Sequence, residues 1–234
     1  MKALPISRRL WRIPLIPPDI LNVYLVGDVL IDSGVRPAHR RLLNFLSGQE
    51  LSAHALTHAH PDHQGCSHAI CDGFQVPLLC GEGDREAQET GRFEALMPRP
   101  GSLLARLSGF LSGPPHPVSR TLKEGDEVGG LRVVETPGHT PGHLAFFEEE
   151  ERVLILGDVL FHRSPVTLRK GLTEPIRFAT WDRMRNLDSA RKLASLTPRV
   201  VCFGHGAPLL DGDRFCRFVE ELPQPEDLDP GPGG

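Results

Sequence analysis

Six consecutive residues, His58-Ala59-His60-Pro61-Asp62-His63, carry four side chains able to bind a metal ion. Imidazole and carboxylate are the ligands that borderline cations select, so this segment demands a fold that can surround an ion. His58 and His60 stand two apart and face the same side of an extended segment. Pro61 ends any strand ladder there, which places Asp62 and His63 in a turn that aims them elsewhere. One short stretch can then serve two adjacent ions, with His58 and His60 on one and Asp62 and His63 on the other.

The remainder of the chain reads as one ordinary globular unit. With 234 residues, 39% of them hydrophobic and 24% charged, it is long enough to bury a full core. We expect a single domain over residues 1–221 and a flexible tail, rich in Pro, Asp and Gly, over residues 222–234. A net charge of -4 argues against a broad electrostatic grip on nucleic acid. The five cysteines are odd in number and include no C-x-x-C pair, so free thiols are expected instead of a disulfide framework or a thiolate cage. Neither a secretory signal nor a membrane-length apolar run is evident, which points to a cytoplasmic protein with no membrane contact. The expected partner is a small-molecule substrate, and the oligomeric state is left open.

Along the chain, short apolar runs alternate with helical spacing. Residues 22–26 and 29–32 form a hairpin about Gly27-Asp28, and residues 40–45 are helical. Residues 53–57 read as a strand whose C-terminal end delivers the histidine cluster, where layered α/β proteins commonly place sites. A helix from about residue 65 and a strand over residues 76–80 follow. Residues 82–119 hold many Gly and Pro, yet Leu103, Leu104, Leu107, Phe110 and Leu111 recur at helical spacing. Core packing is their expected role, with a mobile apolar wall over the site as the alternative. Strands are expected at 131–135, 144–147, 152–156 and 200–203, and an amphipathic helix at 181–196.

Three more candidates share one local grammar. His139, Asp158 and His205 each follow a β-like run, inside the glycine-containing turns Pro137-Gly138-His139, Gly157-Asp158 and Gly204-His205-Gly206. The H-x-H-x-D-H loop, the T-P-G-H-T-x-G-H turn at 136–143, the G-D after an apolar strand and the late G-H-G resemble the metallo-β-lactamase superfamily. They occur in that family's order over roughly residues 20 to 210. The resemblance implies an α+β fold, a four-layer αβ/βα sandwich in which two mixed β-sheets are flanked by helices, with the site at one edge. It also implies that His58, His60 and His139 hold a first divalent ion and that Asp62, His63 and His205 hold a second, with Asp158 bridging. Zinc is the first expectation for both ions, with iron or manganese as alternatives.

Two divalent ions about 3.5–4 Å apart can share a water and lower its pKa from about 15.7 toward neutrality, making a bridging hydroxide available. One ion polarises a carbonyl while the other stabilises the leaving oxygen or sulfur. Asp62 is expected both to bind metal and to orient or receive a proton. His143 is expected to orient a neighbour, as groups behind a metal ligand usually do. Asp32 reads either as such a residue or as a simple turn-former. His54, His68, His116 and His162 read as ordinary surface or satisfied core histidines, and Tyr24 as packed.

The site resembles glyoxalase II most closely, a family with a helical C-terminal domain bearing basic glutathione-binding residues. Here only residues 206–234 follow the last ligand position. The main expectation is therefore a dinuclear hydrolase of a small ester, lactone or thioester. One alternative is a mononuclear iron persulfide dioxygenase of the same fold, using the positions of His58, His139 and Asp158. Another is a hydroxyacylglutathione hydrolase without the usual C-terminal domain, and a metal-stabilised scaffold is the third class. Substrate walls are expected from residues 82–119 and 162–178. Arg163, Arg169, Lys170 and Arg177 in the latter either meet an anion or face water.

Overall fold

Runs in which every residue is apolar become strands covered on both faces, and this chain has several. The computed structural model describes residues 1–99, 101–102 and 109–224. One sheet has seven strands in sequential order. β1 (Leu4–Pro5), β2 (Leu10–Ile16), β3 (Leu21–Val26) and β4 (Val29–Ile31) pair antiparallel, whereas β5 (Ala53–Ala55), β6 (Leu78–Gly81) and β7 (Arg120–Leu122) extend the sheet in parallel. The second sheet contains β8 (Glu127–Val128), β9 (Leu131–Glu135), β10 (Leu144–Glu148), β11 (Val153–Ile155) and, parallel to β11, β14 (Val200–Cys202). A separate two-stranded ribbon joins β12 (Phe161–Arg163) to β13 (Lys170–Thr173). Both sheets are therefore mixed.

Three apolar clusters separate four layers. Helices α1 (His39–Leu46), α3 (Ser67–Phe74) and α4 (Glu82–Thr90) cover the outer face of the first sheet through Leu42, Leu46, Ile70 and Ala87. Helices α5 (Arg183–Ser195) and α6 (Gly212–Glu220) cover the second through Leu187, Leu193, Phe215 and Val219. The sheets meet through Tyr24, Ile31, Leu79, Val133, Phe146 and Ile155. Along β10 the period-two rule is visible directly: Phe146 enters the inter-sheet cluster, while Ala145 and Phe147 point to the helices. This is the four-layer αβ/βα sandwich, and its buried strands explain why the sequence shows continuous apolar runs instead of alternation.

The observed elements depart from expectation at identifiable places. Asp62 and His63 lie on α2 (Pro61–Gln64), one helical turn instead of an irregular one, because Pro61 occupies the first helical position, where no amide bond is forfeited. The strand β2 has no clean signature: Arg12 within it is buried and pairs with Asp19 at 2.7 Å, and a register shift falls between Pro14 and Ile16. Phe110 and Leu111 are exposed, not core, and residues 103–108 of that expected helix lie outside the described residues. Of the expected tail, Leu222 packs on the α5–α6 layer, and residues 225–234 lie outside the described residues. Among the described residues, no helix is long and apolar enough to cross a membrane.

His54 on β5 shows how the core treats a polar group. Its Nδ1 donates to Leu30 O at 3.0 Å and its Nε2 meets Ser67 Oγ at 2.8 Å, so the neutral ring is satisfied on both sides. Burial first of all lowers its pKa from 6.5 to about 4. The unfolded chain protonates this histidine below pH 6.5 while the fold resists until about 4, so its contribution is complete above 6.5 and lost as pH falls through that window. Equilibrium unfolding of metal-free protein should show up to roughly 3 kcal/mol lost on this account, and the His54→Gln variant should have a correspondingly flatter profile.

Candidate metal centre

The topology brings the later candidates together. Strands β9, β11 and β14 run in the same direction, since β10 is antiparallel to both β9 and β11 and β14 is parallel to β11. Their C-terminal ends therefore open at one edge of the sheet, and His139, Asp158 and His205 lie just beyond them. The first sheet meets that edge through backbone bonds from Leu144 N to Thr57 O at 2.7 Å and from Asn22 N to Gly204 O at 2.9 Å. His58 and His60 follow β5, and Asp62 and His63 ride on α2, at this same junction.

Donor atoms of all seven candidates converge there. His58, His60 and His139 form one group and Asp62, His63 and His205 another, while Asp158 also groups with His58 and His63. Asp158 Oδ2 faces both: it lies 3.9 Å from His58 Nε2, 3.6 Å from His139 Nε2, 3.3 Å from His63 Nε2 and 3.2 Å from His205 Nε2. His60 turns its other nitrogen inward, with Nδ1 3.0 Å from His139 Nε2. His58 Nε2, His63 Nε2 and Asp158 Oδ1 are buried with no hydrogen-bond partner among the described residues, a costly arrangement for polar atoms unless a cation completes it. The donor set therefore fits a metal pair.

Hydrogen bonds behind the rings settle which nitrogen faces inward. Thr57 Oγ1 donates to Asp32 at 2.8 Å, so it accepts from His58 Nδ1–H at 3.0 Å. Thr180 Oγ1 donates to Ile176 O, so it accepts from His139 Nδ1–H at 3.3 Å. His63 Nδ1 donates to Asp32 Oδ2 at 2.8 Å, and His205 Nδ1 to Ile20 O at 2.6 Å. Each leaves Nε2 as a bare lone pair or an exchangeable donor aimed at the centre. His143 Nε2 accepts from the Asp158 backbone N–H at 3.1 Å while its Nδ1 donates to Thr136 Oγ1 at 2.8 Å, so it fixes the residue that faces both groups. Asp32, held in the left-handed region at φ 59°, also accepts from Thr57 N at 2.8 Å.

The two groups differ electrostatically. Burial and neighbouring imidazoles depress the pKa of His58 and His139, and burial lowers His60 to about 4, so the three-histidine group is neutral near pH 7. Burial works against His63 and His205 too, but Asp158 with Asp32 or Asp62 outweighs it, raising His63 well above 6.5 and His205 to about 10. Against the upward pull of burial, His205 and His63 hold both Asp158 and Asp62 below the ordinary carboxylate range. Asp62 is the least covered of the seven, its side chain 33% exposed against 3% for His205.

A residue hidden from sequence reasoning locks the ligand turns together. Asp84 on α4 is fully buried and accepts from Ala59 N at 2.8 Å, Thr140 Oγ1 at 2.8 Å and Gly142 N at 2.7 Å. It thereby ties the His58–His60 loop to the turn that bears His139. The approach is close enough that a Cβ on Gly81 would sit 2.0 Å from Gly142 O. In sequence Asp84 is one acidic residue at a helix start, which usually faces water; the flanking Gly81 and Gly83 are the only local sign of a close contact. Burial raises its carboxyl to about 6 despite the three donors. Tyr24 is buried, its hydroxyl donating to Phe203 O at 2.7 Å, and His162 Nδ1 bonds Ala207 O.

This architecture and the order of its ligand turns define a family. The sequence profile of the Metallo-beta-lactamase superfamily matches residues 16–205, and the chain belongs to that superfamily. It is 30% identical over 231 residues to Probable metallo-hydrolase YflN of Bacillus subtilis (strain 168), with 87% of each chain covered. A Hydroxyacylglutathione hydrolase of Rhodospirillum rubrum is 38% identical over 154 residues, which cover 64% of this chain and 46% of that one. Among solved structures, TTHA1623 in a di-iron-bound form superposes with a TM-score of 0.65 and 32% identity, covering 83% of this chain and 92% of that one.

The hydrogen bonds behind His58 can be tested directly. Thr57→Val keeps the shape but strands His58 Nδ1–H and removes one donor from Asp32. It should lower metal affinity about 10- to 100-fold, measured by competition with a chromogenic chelator, while the circular dichroism spectrum stays unchanged.

Proposed function

We propose that this protein is a metal-dependent hydrolase with a dinuclear centre, acting on a small ester, lactone or thioester. The observation that carries this reading is the position of Asp158 Oδ2, within 3.2–3.9 Å of histidine nitrogens from both groups. His58, His60 and His139 would hold one ion, Asp62, His63 and His205 the second, and Asp158 both. A mononuclear oxygenase needs only one of these groups, and the burial of His63 and His205 beside Asp62 would then be a desolvation cost with no return. A pair of bound ions supplies Lewis-acid polarisation of a carbonyl and a water acidified toward neutrality.

The protein's own side chains supply the rest. Thr57, Asp32, Thr180 and the Ile20 carbonyl orient the imidazoles, so little reorganisation is needed during reaction. Asp62, the most accessible carboxylate, is placed to orient a nucleophilic water or take its proton. Beside the centre lies a cavity of about 410 Å³, lined in part by Phe161, Arg169, Lys170 and Ile176. The Phe161 ring stands 4.8 Å from the His205 ring, so this cavity reaches toward the centre, and it offers Phe161 and Ile176 with Arg169, Lys170 and Glu174, whose carboxylate is already paired with Arg183 at 2.6 Å. That combination suits a substrate with a short acyl portion and an anionic group. Similarity to a hydroxyacylglutathione hydrolase supports a thioester among the candidates, and the di-iron form of TTHA1623 supports iron beside zinc.

Protein purified without added metal should contain about two transition-metal ions per chain by mass spectrometry. It should hydrolyse model thioesters, lactones or aryl esters, lose that activity to chelators and regain it on adding zinc, iron or manganese. Asp158→Asn should reduce both metal content and hydrolysis by at least about 100-fold. A single near-stoichiometric iron, with oxygen consumed in the presence of glutathione persulfide and no hydrolysis, would sink the proposal.

A further inference from the structure

A second group of metal-binding side chains lies away from the centre, on the outer helical layer. His68 and Asp72 stand one turn apart on α3, and His116 reaches them from the loop that precedes β7. His68 Nδ1 and His116 Nδ1 are 3.3 Å apart, and His68 Nε2 lies 3.5 Å from Asp72 Oδ2. Zinc–nitrogen bonds of about 2.0–2.1 Å place two ligands of one tetrahedral ion about 3.3–3.4 Å apart, which is the separation found here. The carboxylate on the opposite nitrogen of His68 completes the pattern seen behind metal-bound imidazoles.

We propose that His68 and His116 form a second, superficial site for zinc or a similar transition-metal ion, with Asp72 orienting His68 and water filling the remaining positions. Neither histidine belongs to the superfamily's ligand turns, and the proposal stands whether or not the central reading holds. The side chains of His68 and Asp72 are 40% and 64% exposed, so an ion reaches them directly from solvent. His116 is presented rigidly: Pro115 and Pro117 flank it, and its backbone N–H donates to Gln88 O at 3.1 Å. Burial and the neighbouring His68 lower its pKa, which keeps the ring in the neutral form that binds metal.

Occupancy would staple the loop to α3. Three residues before His116, the backbone at Gly113 packs against Gly65 so closely that a Cβ would lie 2.4 Å from Gly65 O. Gly65 directly follows α2, which carries Asp62 and His63. The stapled loop therefore braces the turn behind two of the central residues.

The test uses the full-length protein with its native metals, dialysed to equilibrium against micromolar free Zn2+, with bound zinc counted by mass spectrometry. Wild type should bind one ion more than either His116→Ala or His68→Ala, and these variants should keep wild-type hydrolysis at low zinc. Asp72→Asn should retain the extra ion with affinity weakened about 10-fold. Because the readout is a difference between wild type and variants, it is independent of how many ions the centre holds. Equal zinc content in wild type and both alanine variants would overturn the proposal.

Discussion

Burying five imidazoles and two carboxylates against one another is the constraint around which this molecule is organised. Left unordered, such a group would pay a desolvation penalty for each polar atom and would collapse onto its own hydrogen bonds. The fold prevents that by giving the outward nitrogen of His58, His63, His139 and His205 a partner of its own. Of the inward atoms, His60 Nδ1 meets His139 Nε2 at 3.0 Å, whereas His58 Nε2, His63 Nε2 and Asp158 Oδ1 are left without a hydrogen-bond partner among the described residues. Two packed sheets are needed for this, because the partners come from both: Asp32 and Ile20 from the first, Thr180 and His143 from segments around the second.

The electrostatics within this cluster are uneven in a way that follows from where the carboxylates stand. The three-histidine group has Asp158 at its margin and is left neutral by burial. The other group contains Asp62 and adjoins Asp32 and Asp158, so its histidines attract protons. A cation entering the first group would displace little, whereas one entering the second would have to expel protons. The two groups thus carry different proton loads near pH 7.

Much of this was legible in the sequence, for a physical reason. A metal-binding side chain that follows a strand and sits beside glycine leaves a local trace, as His139, Asp158 and His205 do, while His58 follows its strand into a dense run of histidines. Strand β9 shows its full extent at residues 131–135 because turns bound it at both ends. Asp84 left no such trace, since its partners Ala59, Thr140 and Gly142 are distant in the chain. Strand β2 was obscured by a buried arginine and a proline, which break the alternation that marks a strand. Helix α6 follows Gly204-His205-Gly206 so soon that the composition of the chain's end masked its amphipathic stripe of Phe215 and Val219. Phe110 and Leu111 misled in the other direction, being apolar at helical spacing yet exposed. Spacing reports a pattern and not what stands opposite it.

The placement of His58, His139, Asp158 and His205 three or four positions beyond a strand end has a consequence for how such a protein can change. A strand anchored in two packed cores sets the position of its last residue, and that position does not depend on the length of whatever follows. The turn of the β12–β13 ribbon, which holds none of these residues and none of the partners behind them, can therefore be lengthened, shortened or rewritten while their geometry stays put. In this arrangement the cluster is inherited with the scaffold, and what surrounds it is an attribute of interchangeable loops.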